Sequence, residues 1–200
     1  LLDKAGLSKK DSEGYRLRTD NGERLRLEIT TTQAFLPFPK QAEMIVDQWR
    51  KIGIWAEVKE LERNLAMTRI RNNEHQMFIW SNGGTELLYL FPRHAIPVDP
   101  TEAYMGPAFA QWFASGGTSG TEPKDPNILK IYDLFNSAAG QQAEERYKTA
   151  QEIWKILVDQ QYSFGTVGQS PAFMGVRLVS NKLGNIPSRV CIAQHCRAPA

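Results

Sequence analysis

Apolar and polar residues alternate over residues 25–31, LRLEITT, which puts Leu25, Leu27 and Ile29 on one face and predicts a half-buried β-strand. The period then changes. In QAEMIVDQWRKIG (41–53), Ala42, Ile45, Val46, Trp49 and Ile52 recur at helical spacing, and Gly53 stands where a helix is commonly capped. Alternation returns in IWAEVKEL (54–61), with Ile54, Ala56 and Val58 on one side. Strand, helix and strand in that order predict a parallel pair joined by a right-handed crossover. A helix over about 64–72 and a third strand, QMFIW (76–80), extend the pattern. Residues 91–126 are rich in Pro, Gly, Ser and Thr and read as surface loops around one short helix, PAFAQWFASGG. Two helices follow. NILKIYDLFNSAA aligns Ile128, Ile131, Leu134 and Phe135; AEERYKTAQEIWKILVDQQ aligns Tyr147, Ala150, Trp154 and Leu157 in a stripe that Ile153 widens. SFGTVG and AFMGVRLV are strand-like, and the rest is an irregular tail. The fold class is α/β, a mixed and mostly parallel sheet flanked by helices.

Composition agrees with one ordinary folded unit. The 200 residues suffice for one substantial core; 24 Lys+Arg nearly balance 22 Asp+Glu, and signs alternate in stretches such as ERLRLE, so no basic stripe points to nucleic acid. No apolar run approaches the roughly 18 residues a membrane span needs. The start, LLDKAGLSKKDSEG, lacks a signal-peptide pattern and places Leu1, Leu2 and Ala5 at helical spacing before Gly6, as though the chain began inside an element of something longer.

The sequence carries little catalytic chemistry. It holds no phosphate loop, no G-x-G-x-x-G, no H-E-x-x-H and no G-x-S-x-G serine. His75, His94 and His195 are dispersed, and an isolated histidine without an oriented partner is ordinarily a surface residue. Cys191 and Cys196, in CIAQHC, could close a small disulfide loop, remain as two thiols, or join His195 around a metal, although a zinc site would ask for a fourth ligand. No cofactor is implied. An enzymatic reading would have to assemble acid and base from Glu86, His94 and Asp99 in the loop-rich segment. An interaction module would instead expose Phe109, Trp112 and Phe113 as one patch.

The stretch MFIWSNGG is more informative. A strand that ends in Trp80 and opens into Ser81, Asn82, Gly83 and Gly84 presents an indole, an amide and bare backbone beyond a carboxyl strand end, where ligands of open α/β sheets bind. Trp49 and Trp154 fall on apolar helix faces and read as core, and Trp55 lies on the strand face opposite Ile54, where it could cover a helix. Trp80 and Trp112 each suit either a ligand wall or the core.

Taken together, LLDKAGL with its short linker, LRLEITT, QWRKIGIWAEVKEL and FIWSNGG resemble the C-terminal portion of the extracytoplasmic solute-binding proteins of family 5, the dipeptide, oligopeptide, nickel and oligosaccharide receptors of ABC importers. WFASGGTSGTEP, ERYKTAQEIWKILVDQQ and SFGTVGQSPAFMGVRLVSNKLGNIP are similar to the same region. The resemblance implies a lobe of the periplasmic-binding-protein type II class, periplasmic or tethered outside the membrane, that binds a solute and delivers it to a permease without catalysis. It implies that 1–170 form the ligand-binding lobe and that 171–200 return to a first lobe. Dipeptide receptors of the family carry an aspartate shortly after the strand-end tryptophan, whereas no carboxylate occurs here before Glu86. A buried ammonium lacking a counter-charge is costly, so Trp80, Ser81, Asn82 and Gly83, with Glu86 and Trp112, suit a neutral hydroxylated solute better than a short peptide.

Overall fold

A single central strand organises the first half of the chain in the computed structural model, which describes residues 1–34, 36–81, 88–89, 91–166 and 182. This strand, β1 (Arg26–Thr32), pairs in parallel with β2 (Trp55–Leu61) from Arg26↔Trp55 to Thr32↔Leu61, and on its other edge with β3 (Met77–Phe78) through Ile29↔Met77 and Thr30↔Phe78. The order is β2-β1-β3. Helix α1 (Phe38–Lys51) makes the crossover between β1 and β2, and α2 (Arg63–Arg71) makes the one between β2 and β3. The predicted third strand shortens to two residues, and Glu28 N–H, just before its pairing begins, donates instead to the Gln76 side chain at 2.8 Å.

One face of the sheet is dry. Ile29 and Ala56 bury against Ala42 and Val46 of α1, with Leu27, Ile45, Trp49 and Val58 around them. Ile52, expected on that apolar face, is 46 % exposed, because the helix has already ended at its C-cap there. Gly53 follows with φ +83°, and a Cβ on it would fall 2.8 Å from the Gly14 carbonyl oxygen, so the turn requires glycine. The N-terminal segment docks on this turn. Arg16 N–H donates to Gly53 O at 2.7 Å, its Nε donates to Ile52 O at 2.9 Å, and its guanidinium also reaches the Leu7 carbonyl and, at 2.5 Å, Asp3. The Leu1–Leu7 turn closes with Gly6 N–H to Asp3 O and Leu7 N–H to Leu2 O, a Schellman arrangement around Gly6 at φ +88°. Trp55 is covered by Tyr15, edge-on at 5.0 Å, and by the Arg24 and Arg26 guanidiniums rather than by a helix face alone.

A second core lies between α4 (Pro126–Ser137) and α5 (Ala143–Gln160), where Ile131, Ile153 and Leu157 close over Leu88, Ala95 and Ile96. Tyr147, expected on the buried stripe of α5, is 66 % exposed; the buried side runs through Thr149, Ile153 and Leu157. Residues 163–166 carry no strand, and the strand-like AFMGVRLV, with Cys191 and Cys196, lies outside the described residues.

Two substitutions measure the dry face. Ile29 is 2 % exposed, so Ile29→Ala is expected to lower unfolding free energy by about 2–5 kcal/mol in a denaturant titration. Thr31 is fully buried and its hydroxyl has no partner among the described residues, so Thr31→Val should be neutral or stabilising by about 1 kcal/mol.

Candidate functional site

All three parallel strands end at the same edge: β1 at Thr32, β2 at Leu61 and β3 at Phe78. Helix α2 begins two residues past β2, with the Glu62 carboxylate accepting the N–H groups of Asn64 and Leu65, so Arg63 starts the helix at that edge. Trp80 stands two residues past β3. It stacks on Phe38 at 5.2 Å and on Phe78 at 5.6 Å, and meets Tyr104 edge-on at 6.2 Å. Tyr104 also stacks on His94 at 5.0 Å, and His94 meets Phe91 edge-on at 5.3 Å. Six rings from four separate stretches of chain thus form one aromatic cluster at the strand ends.

Beside it lies a cavity of about 140 Å³. One wall is α2, through Arg63, Met67, Ile70 and Arg71; Trp80 closes one side, and Thr101 to Tyr104 form the opposite wall. That opposite segment is a turn held by Asp99, whose carboxylate accepts from Thr101 N–H at 2.9 Å and Thr101 Oγ1 at 2.6 Å. It is tied to the sheet side twice. Arg71 Nε donates to Thr101 O at 3.0 Å, and His75 Nε2–H donates to Tyr104 O at 3.1 Å. Glu102 pairs with Arg93 at 2.5 Å. Burial, with the Glu102 charge adding to it, pushes the Tyr104 phenol above its ordinary value, so the ring keeps its proton.

The residues singled out from the sequence fall in different places. Trp80 and Ser81 sit together at the strand edge, with Trp80 on the cavity. Trp112, on α3 (Pro107–Ala114), stacks on Tyr132 of α4 at 6.2 Å and is not among the residues lining the cavity. Its neighbour Phe113 stacks on the same tyrosine at 4.4 Å, so these two rings face the chain's own second core. Asn82, Gly83 and Glu86 lie outside the described residues. Of the residues weighed as acid and base, His94 is stacked between aromatic rings and Asp99 is engaged in its turn. Sequence reading missed Arg63, Arg71, His75 and Tyr104. The spacing of Arg63, Met67, Ile70 and Arg71, one face of a helix, was the available signal for the first two.

With this geometry in view, residues 1–87 match the model of "Bacterial extracellular solute-binding proteins, family 5 Middle". The fold agrees. The oligopeptide-binding protein OppA superposes with a TM-score of 0.69 at 23% identity, covering 80% of this chain and 27% of that one. MelB, a periplasmic binding protein from Agrobacterium fabrum solved with stachyose, gives 0.60 at 16% identity over 80% of this chain and 24% of its own. NikA from Brucella suis, solved with Fe(III)-EDTA, gives 0.55 at 19% identity over 78% and 28%. No curated protein sequence matches the chain. The chain therefore spans about a quarter of the length of these solute-binding proteins. The parallel sheet with flanking helices has the fold of the matching part of these periplasmic binding proteins. Among the described residues no helix is long and apolar enough to cross a membrane.

His75 makes an acid-sensitive contact beside the cavity. Its Nδ1 is buried without a partner among the described residues, and burial, helped by the Arg69 charge, pushes the imidazole below its ordinary value. A depressed histidine value stabilises the fold above the unfolded value of about 6.5, and that contribution is lost as pH falls below it. Thermal unfolding is expected to show stability declining as pH falls below about 6.5, with a smaller decline in His75→Gln, which keeps a donor for Tyr104 O.

Proposed function

We propose that this chain is part of the solute-binding component of an ABC importer, a bilobed receptor that captures its solute outside the cytoplasmic membrane and hands it to a membrane permease. Residues 1–170 would supply the C-terminal ligand-binding lobe, and 171–200 a closing strand that returns to the other lobe. The observation that carries this reading is the position of Trp80. It stands at the carboxyl edge of a parallel sheet, inside the stretch that matches the family 5 model, with one side on a cavity. Ligands of open α/β sheets collect at that edge because strand ends and helix starts converge there and leave backbone groups unpaired. We assign Trp80, Ser81 and Asn82 to one wall of the cleft, with the indole as an apolar border for a peptide-like or oligosaccharide solute.

The full-length receptor tests the assignment in a thermal-shift screen against dipeptides, oligopeptides, oligosaccharides and nickel, followed by calorimetry on any solute that raises Tm. One class is expected to raise Tm, and Trp80→Ala to weaken its binding by about 30-fold or more, the loss typical of a buried aromatic anchor. Unchanged affinity in Trp80→Ala would remove Trp80 from the cleft, and a full screen with no shift would remove the receptor reading.

Export places the cysteine pair in an oxidising compartment. Thiol titration of the unreduced, denatured protein is expected to find Cys191 and Cys196 bridged, with no free thiol.

A further inference from the structure

The cavity beside Trp80 has a charge pattern that the receptor reading leaves unused. Arg63 and Arg71 both line it, against a single lining carboxylate, Glu102, which already pairs with Arg93 at 2.5 Å. Among the described residues no carboxylate lies within ion-pair distance of Arg63 or Arg71. Glu62, next to Arg63 in sequence, is engaged by the Asn64 and Leu65 N–H groups at the helix start. Arg71 spends its Nε on Thr101 O, which orients the guanidinium and leaves its outer nitrogens for another acceptor. The Arg63 side chain donates no hydrogen bond among the described residues. Its guanidinium carbon lies 5.4 Å from the centre of the Trp80 ring, and stacking of that kind steadies the planar cation while leaving its N–H fork available.

Size narrows the occupant. At about 140 Å³ the cavity lies below the roughly 300–1,000 Å³ of sites that engulf a whole drug-sized ligand, so it suits one end group of a longer solute. Met67, Ile70 and Trp80 supply an apolar lining for the carbons beside that end group, and the protonated Tyr104 hydroxyl offers a neutral donor.

We propose that this cavity is a carboxylate subsite, in which Arg63, steadied on Trp80, pairs with a carboxylate carried by the bound solute and Arg71 contributes a second positive charge. The inference rests on the receptor reading for the identity of the solute, and it adds that the solute bears a negative end group. The loss of the aspartate expected beyond Trp80 concerns a ligand ammonium and is independent of this site. Two sources supply a carboxylate of suitable size, the C-terminus of a peptide and a sugar acid.

Charge-matched pairs separate them in the full-length receptor: N-acetyl-trialanine against its C-terminal amide, and digalacturonate against the neutral galactose disaccharide. Two readouts are taken, calorimetric affinity and the Nε–Hε resonance of Arg63 at millimolar probe. In one pair the carboxylate member is expected to bind about tenfold or more tightly than its neutral partner, and to shift the Arg63 resonance. That preference should vanish in Arg63→Gln and return in part in Arg63→Lys, while Arg69→Gln, outside the cavity lining, leaves it intact. Equal affinity of both members, a preference that survives Arg63→Gln, or an unmoved Arg63 resonance overturns the subsite. A neutral solute that raises Tm without moving Arg63 overturns the subsite alone. A responsive Arg63 in a protein whose Tm no solute raises supports the subsite and overturns the receptor reading.

Discussion

The parallel pairing of β1 with strands on both of its edges is the constraint on which the site depends. Because β2 and β3 both run alongside β1 in the same direction, their carboxyl ends meet at one edge, and the residues that follow them must emerge there together. Arg63 and Trp80 are 17 positions apart in the sequence, yet the guanidinium lies over the indole. No local preference produces that contact; the strand register does. The register is in turn held by burial, since a slip of one residue would turn Ile29 and Ala56 away from α1 and expose them.

The joint between α1 and β2 is the second fixed point. Gly53 allows a left-handed turn tight enough for the Gly14 carbonyl to pack against it, and Arg16 binds the carbonyls of Ile52 and Gly53 in the same place. A buried guanidinium is tolerated there because protein oxygens replace the water it gives up. The N-terminal segment is thereby fastened to the far end of the sheet from the cavity, so it braces the lobe without entering the site.

At the site itself, packing and electrostatics act together. The aromatic cluster of Phe38, Phe78, Trp80, Tyr104, His94 and Phe91 holds Trp80 and Tyr104 on the cavity, and the Arg63 guanidinium lies over the Trp80 ring. The turn at 99–104 completes the wall only because Arg71 and His75 tie its backbone to the sheet side. Positive charge, apolar carbon and a protonated phenol on one cavity lining make a receptive environment for an acid group that arrives attached to an apolar stem.

How much of this was legible beforehand follows from the range of each interaction. Period-two spacing in LRLEITT and IWAEVKEL, helical spacing in QAEMIVDQWRKIG and a glycine at the joint are local patterns, and the strand-helix-strand unit followed from them. Where a local pattern misled, at Ile52 and Tyr147, the helix end or the facing partner decided which side was buried, and neither is written in the spacing. Trp80 was legible as a strand-end aromatic, but its neighbours Phe38, Arg63 and Tyr104 were not, because they come from three other elements. Local spacing set the elements, their order along the chain and the family-like strand end at Trp80. Which charges and rings share the cavity depends on crossover and strand register, which bring together side chains whose separation along the chain carries no period to read.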